Sequence, residues 1–410
     1  MSKTVAEKAS KFTPELLSPA GSLDKLKVAI SYGANAVYLG GLKFGLRSAA
    51  ENFTEEELTE GVGFAHNKGA KVYVVLNGFL HDKDLEELPS FVQFLDSLEV
   101  DAVIVSDLGV IKTVLENSSI PVHLSTQASC LNVESAKLWK TMGVERIVVG
   151  RETSIAEAGL IKKEANIEVE MFVHGSMCMA YSGNCVISNF TQGRDSNRGG
   201  CAHSCRFEYS IDFDHLESEE KKKAYFMSST DLNGIKVLPE YIEHEIDSIK
   251  VEGRMKSHLY AGTISKTYSE ALNHYEQNGD FLSNQLLDWE KELNKITHRT
   301  YAPANLVEKA GEETIFNERE TATDNDYVLV GRVVDTFKEE FIVIEVRNAF
   351  NLGETIELLP FNGPAIEIKL DKIHNLLNHE ISRSKPSSLV KLPFVPGAAL
   401  NNILRRKVLQ

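Results

Sequence analysis

From residue 14 to 255 the chain repeats one unit. A stretch with apolar positions at helical spacing is followed by a turn, and then by a short run of consecutive apolar residues. The turns read as Tyr32-Gly33-Ala34, Lys68-Gly69-Ala70 and Met142-Gly143-Val144. The runs are Leu16-Leu17, Ala36-Val37-Tyr38-Leu39, Val72-Tyr73-Val74-Val75-Leu76 and Ala102-Val103-Ile104-Val105. They continue with Val122-His123-Leu124, Arg146-Ile147-Val148-Val149, Val169-Glu170-Met171-Phe172-Val173 and Ser248-Ile249-Lys250-Val251. Runs that do not alternate with polar residues belong to parallel strands covered on both faces. Eight such units predict an α/β fold of the TIM-like (β/α) barrel type. A doubly wound sheet is the alternative, and no Gly-x-Gly-x-x-Gly fingerprint supports it.

One interval breaks the rhythm. About 75 residues separate Val173 from Ser248, which predicts an insertion at about 175–247 on the carboxyl-terminal, active-site face of a barrel. An apolar run at Tyr225-Phe226-Met227 predicts a short strand inside it. Residues 257–297 carry Leu259, Ile264, Tyr268, Leu272 and Tyr275 at helical spacing, and 298–326 read as a polar linker. From Tyr327 the texture changes to alternation, as in Val328, Val330 and Phe341-Ile342-Val343-Ile344-Glu345-Val346, with turns at Asn351-Leu352-Gly353 and Asn362-Gly363-Pro364. That predicts a small β-barrel. The expected organisation is a tail over 1–13, the barrel over 14–256, a helical segment and linker over 257–326, and the β module over 327–410.

Composition refines this picture. With 410 residues, 42% hydrophobic and 25% charged, the chain holds enough apolar material for a large core. The formal charge is −15, which argues against wholesale coating of nucleic acid or anionic membrane. The charge is unevenly spread. Residues 327–410 hold 11 Lys/Arg and 9 Asp/Glu, a net of +2, so the remainder carries −17. Six Lys/Arg stand against one acidic residue over 376–410, a segment suited to phosphate contacts. No apolar leader opens the sequence and no run is long enough to span a bilayer, so the expectation is a cytoplasmic protein with no membrane partner.

Four of the five cysteines, Cys178, Cys185, Cys201 and Cys205, fall within the insertion in a C-x6-C-x15-C-x3-C pattern. In a reducing compartment such a cluster points to metal rather than disulfides. Four thiolates suit an iron–sulfur cluster, whose spacing rules are loose. Structural zinc prefers two tight knuckles, and only Cys201 and Cys205 approach one. Ligand-free roles remain the third reading. Arg194, Arg198 and Arg206 would offset thiolate and sulfide charge.

The segment Glu170-Met171-Phe172-Val173-His174-Gly175-Ser176-Met177-Cys178, with Gly183-Asn184-Cys185, resembles the signature of the collagenase-like peptidase family U-32. So do Asn197-Arg198-Gly199-Gly200-Cys201, Cys205-Arg206, Leu17-Ser18-Pro19-Ala20-Gly21 and Lys250-Val251-Glu252-Gly253-Arg254-Met255-Lys256. The resemblance implies a 4Fe-4S cluster on the four cysteines. It also implies oxygen-independent or prephenate-dependent hydroxylation of quinone precursors, ribosomal RNA or the wobble uridine of tRNA. A barrel followed by a small β module at this length resembles the members that make 5-hydroxyuridine, with the tRNA anticodon loop as partner and prephenate as hydroxyl donor. Some members act in pairs, which leaves room for a related partner protein. The loop His298-Arg299-Thr300-Tyr301-Ala302-Pro303 departs from the aromatic-Gly-Phe segment common in the family.

Other polar residues fall at strand ends, where a barrel places its chemistry. Arg47, Asn77, Asp107, Ser125-Thr126-Gln127, Arg151-Glu152, His174 and the group Glu252, Arg254 and Lys256 follow successive strands. A dicarboxylate such as prephenate needs cationic partners, and Arg binds carboxylate in bidentate fashion. Arg47, Gln127 and Arg151 are candidates for holding the donor, with His174, Glu252, Arg254 and Lys256 as candidate catalytic groups. His174 could also act as a proton relay beside the cysteines, or be a satisfied structural histidine. Cys130 reads as a small buried side chain, with a fifth, labile ligand or a persulfide carrier as the sharper alternative. Two other functions compete: a thiol peptidase using His174 with Cys178 or Cys130, and a non-catalytic partner in a modification assembly. No His-Glu-x-x-His is present, which disfavours a zinc protease.

Overall fold

A computed structural model describes residues 12–46, 51–211, 222–316 and 327–408. The first seven strands of the barrel are β1 Glu15–Pro19, β2 Ala36–Leu39, β3 Lys71–Leu76, β4 Ala102–Val105, β5 Val122–Leu124, β6 Val144–Val148 and β7 Glu168–Ser176. The insertion adds β8 Tyr209–Ile211, β9 Lys222–Ala224 and β10 Asp231–Asn233, after which β11 Ser248–Val251 completes the ring. Neighbours pair in parallel from β1 to β7. β11 pairs in parallel with both β7 (Ser248 opposite Glu170) and β1 (Ser248 opposite Glu15), so the eight-stranded barrel is closed. These are the eight runs predicted from the sequence.

The strands lack alternation because both faces are buried. Leu16, Val37, Val72, Val74 and Val103 face the surrounding helices. Leu17, Ala36, Tyr38, Tyr73, Val75, Ala102 and Ile104 form a separate interior cluster. Helix starts are set locally. Thr54 with Glu57, and Ser154 with Glu157, form capping boxes, and Asp107 and Asn132 accept from the backbone of their first turns.

The barrel interior also holds charge. Glu170, fully buried, accepts from the Lys250 ammonium at 2.6 Å. Arg146 donates to Glu15 at 2.7 Å and to Glu168 at 2.8 Å, and lies 3.5 Å from Glu170. Tyr73 donates to Glu15 at 2.7 Å, and Lys250 lies over the Tyr38 ring at 4.5 Å. Such buried charge is tolerated because nearly every group has a hydrogen-bonded counter-charge, and Glu15, Arg146 and Glu168 also line an open pocket.

Two expectations for the insertion and its sequel change. The strand expected at Tyr225–Met227 ends at Ala224, and 225–227 form a turn. Instead β10 runs antiparallel to the end of β7, with Asp231 opposite Ser176 and Asn233 opposite His174. It was missed because three residues with polar ends carry no periodic signal. The start of the expected linker is built into the barrel mouth: β12 Tyr301–Ala302 pairs with β10, and His298, Arg299, Ala304 and Leu306 are buried. The last part of that linker, 317–326, lies outside the described residues.

The second module is an antiparallel half-barrel of β13 Tyr327–Phe337, β14 Phe341–Val346, β15 Thr355–Leu359, β16 Ile366–Lys369, β17 His374–Asn375, β18 Leu389–Pro393 and β19 Ile403–Lys407. The strand order is β16-β15-β19-β13-β14-β18-β17. Its own core includes Val330, Val333, Ile342, Ile344, Phe350 and Leu404. It docks on the barrel through specific polar contacts. The Tyr32 hydroxyl donates to the Leu359 carbonyl at 2.5 Å and accepts from the Ile403 amide at 2.9 Å. Lys266 donates to the Pro360 carbonyl at 2.8 Å. Arg405, fully buried, is held by Glu292 and Glu357. Part of the basic end expected to meet phosphate is therefore structural. Arg405 is sealed in the interface and Arg406 pairs with Glu354, because their strand is central to the sheet and meets the barrel.

Candidate active site at the barrel mouth

The insertion leaves β7 at Ser176 and folds over the carboxyl-terminal ends of the strands. Short local structures set the four cysteines. Cys178 follows buried Met177, and Cys185 precedes the helix Ile187–Gln192. Cys201 follows the turn Ser196–Arg198 with Gly199 and Gly200, and Cys205 lies within the turn Ser204–Arg206. The segment is stapled to the barrel from several sides. Ser182 accepts from the Arg151 amide at 3.2 Å and donates to Glu152 at 3.1 Å, and Ser129 donates to the Ser182 carbonyl. On the other flank the Phe79 amide donates to the Asn197 carbonyl at 2.8 Å, and Arg198 donates to the Phe79 carbonyl at 2.7 Å. Gly183 is required at its position. Its φ is +77°, and a Cβ there would lie 1.9 Å from the Gln127 carbonyl oxygen.

All four thiols line one cavity of about 220 Å³, together with Gln127, Arg151, Arg206, Glu252 and Lys256. Among the described residues, no three His, Cys, Asp or Glu side chains are grouped as ligands of a single ion. Four thiolates around one cavity are a donor set that a multi-iron core takes. The donor set, four thiols with cations beside them, fits such a group. Burial pushes the Cys205 thiol up, the nearby Arg206 acts in the opposite direction, and the other three thiols add to the rise.

Cations gather at the cavity wall and beside it. Arg299 donates to Asp231 at 3.0 Å from Nε and 2.5 Å from Nη2, with both side chains buried. Lys256 donates to the Thr297 carbonyl at 3.2 Å. Burial lowers its pKa, opposed by Asp231 and reinforced by Arg206 and Arg299. The Arg206 Nε is buried without a hydrogen-bond partner among the described residues. Glu252 accepts from the Tyr38 hydroxyl at 3.3 Å, and its carboxylate stands 4.0 Å from the Arg151 guanidinium. The Arg151 guanidinium carbon lies over the Phe172 ring, 4.0 Å from its centroid, a contact that helps to hold it at the mouth. A second opening of about 940 Å³ adjoins the first across Met177–Tyr181, shares Arg151 and Cys178, and is walled by Phe226 and Phe316.

Of the residues picked from strand ends, Gln127, Arg151, Glu252 and Lys256 meet at the cysteine cavity. His174 and Arg254 do not line it. The His174 ring lies between β7 and the helix His258–Asn278, among Tyr260, Tyr268 and Tyr301, with Nδ1 3.2 Å from the Tyr268 hydroxyl. Burial pushes its pKa down to about 3, so it is neutral. Arg254 is buried, with its guanidinium where a side chain on Gly40 would stand and its carbonyl against Gly21. Arg47 lies outside the described residues. Cys130 is buried away from the cavity, its thiol 4.0 Å from the Asn132 carbonyl and pushed up to about 11 by burial. Sequence reasoning missed Asp231, Arg299 and the Lys250–Glu170 pair. The one available signal was polar residues inside otherwise apolar runs, such as Glu170 and Lys250.

Residues 21–315 match peptidase family U32, and residues 325–405 match the peptidase family U32 C-terminal domain. The chain belongs to peptidase family U32. Its relatives in that family include the tRNA hydroxylation protein P1 of Bacillus subtilis, 41% identical over 96% of this chain and 94% of that protein. The tRNA hydroxylation protein P of Helicobacter pylori is 38% identical over 78% of each chain. The 23S rRNA 5-hydroxycytidine C2501 synthase of Escherichia coli is 38% identical over 65% of this chain and 40% of that protein. The U32 match covers both modules, so the barrel and the half-barrel are both family features. No described helix is long and apolar enough to cross a membrane.

Proposed function

We propose that this protein hydroxylates RNA, acting at carbon 5 of the wobble uridine of tRNA with prephenate as hydroxyl donor and a 4Fe-4S cluster on Cys178, Cys185, Cys201 and Cys205. The observation that carries the reading is the convergence of four thiols with Arg151, Lys256, Arg206 and Glu252 on one cavity at the mouth of a barrel, in a chain similar to RNA-hydroxylating proteins. The cluster, when bound, supplies one-electron chemistry. The chain's own residues do the rest. Arg151, Arg206 and Lys256 supply charge for a dicarboxylate, with Arg151 held in part by Phe172. Glu252, held by Tyr38, is the carboxylate placed to accept a proton at the cavity wall. The insertion supplies the cysteines at the strand ends. A base in a loop can be splayed out to reach such a cavity. The cytoplasm, where tRNA and reduced thiols coexist, is the compartment this reading requires.

A thiol peptidase would need an activated nucleophile. Cys130 has a raised pKa, and His174 is bonded to Tyr268, so that pair has the opposite properties. The test is complementation of a strain lacking 5-hydroxyuridine in its tRNA, read by nucleoside mass spectrometry. The wild-type gene should restore the nucleoside. Cys201→Ala should not, and its anaerobically purified protein should lose the broad visible absorption of the cluster. Failure of the wild type to restore it, or gelatin hydrolysis that survives Cys201→Ala, overturns the proposal.

A further inference from the structure

The surface around the cysteine cavity is unusual for an acidic protein. Phe190 is 86% exposed, Tyr181 61%, Met179 46% and Phe207 40%. Large apolar side chains grouped on a surface mark a contact site. These come from one short stretch that wraps the cavity. Met179 and Tyr181 follow Cys178 and line the opening itself, Phe190 lies on the helix between Cys185 and Cys201, and Phe207 follows Cys205. The local charge differs in sign from the whole. Residues 178–207 hold three Arg and one Asp, 3 − 1 = +2, in a chain of −15. Arg194 is exposed and has no ion pair among the described residues.

We propose that this rim is the platform on which a single-stranded RNA loop lies, with bases stacked on Phe190 and Tyr181 and phosphate drawn to Arg194. This rests on the RNA reading above and gives it a surface. Aromatic faces combined with cationic side chains are the pattern that binds single strands without reading sequence, since every base offers a π face. Arg198 is taken up by Asp84, so Arg194 is the exposed cation that this rim offers to phosphate, whereas the residues outside the half-barrel and this stretch carry −17 − 2 = −19 and repel it. The position of the rim favours RNA over a protein partner. A stable protein lid on it would close the cavity it surrounds, whereas a loop laid across it can deliver one base inward.

The experiment measures binding of a fluorescent anticodon stem-loop RNA to anaerobically purified holoprotein across a salt series. Phe190→Ala should weaken binding about ten-fold, one stacked base's worth, and Phe190→Trp should retain it. Arg194→Gln should lower the slope of log affinity against log salt by about one. The visible absorption of all three variants should equal that of the wild type, because neither Phe190 nor Arg194, which the sequence suggests as a counter-charge to the thiolates, lines the cysteine cavity. Wild-type affinity in both Phe190→Ala and Arg194→Gln overturns the platform and leaves the RNA reading standing. Absence of RNA binding by the wild-type holoprotein at low salt overturns both. Loss of a protein partner rather than of RNA on Phe190→Ala overturns the platform in favour of a protein interface.

Discussion

Replacing Asp231 with Asn tests whether Arg299, in the cationic group beside the cysteines, is held by one carboxylate. Asp231 accepts three hydrogen bonds from Arg299: the amide at 3.0 Å, Nε at 3.0 Å and Nη2 at 2.5 Å. The two side chains are 4% and 6% exposed. Removing one member of a buried pair leaves the other charge uncompensated, which costs about 3–5 kcal/mol. Nε and Nη2 both donate to Oδ1, so an Asn carbonyl at that position keeps two of the three bonds and the expected loss is near the lower end, about 3 kcal/mol. The Asp231→Leu/Arg299→Met double variant, with no charge to strand, should recover most of that. Denaturant midpoints followed by far-ultraviolet circular dichroism give the numbers. Acid titration adds a signed check. Burial raises the Asp231 pKa, but Arg299 and its hydrogen bonds outweigh it, so the net shift is downward. A carboxylate whose folded pKa is depressed contributes stability above its unfolded value, about 3.9, and loses it as the pH falls through the folded value. The gap between wild type and Asp231→Asn should therefore shrink in acid. A loss under about 1 kcal/mol at pH 7, or a gap that does not narrow, would refute the assignment.

Gly183→Ala should drive a Cβ to 1.9 Å from the Gln127 carbonyl at a φ of +77°, lifting the loop between Cys178 and Cys185. Iron content and visible absorption of the anaerobic protein should fall while the far-ultraviolet spectrum of the barrel persists, and full iron loading would contradict the tight seat. His174, held neutral by burial with a pKa of about 3, binds its proton in the unfolded chain below about 6.5. Stability should therefore drop as the pH falls between those values. His174→Gln should flatten the urea midpoint against pH in that window, and an unchanged slope would show that His174 is not the group responsible.

The eight barrel strands were legible in the sequence because each is a short apolar run closed by a turn, and burial on both faces erases alternation. The change to alternation at Tyr327 marked the half-barrel for the complementary reason: its sheet has one covered face. The cysteine cluster in the sequence marked the four thiols that line one cavity at the barrel mouth. The sequence did not reveal which strand-end residues reach the cavity. His174 and Lys256 looked equivalent as polar residues after apolar runs. The register of β7 turns His174 towards the helix His258–Asn278, while Lys256 lies in the loop beyond β11 and reaches the cavity. Arg405 looked like part of a basic tail, and packing between two modules made it the centre of a buried ion network. Asp231 and Arg299 are 68 residues apart and acquire meaning only as a pair. Periodicity and spacing are local properties written along the chain. The direction a side chain faces, and the charge that meets it, depend on strand register and on long-range closure of the barrel, which only the tertiary structure decides.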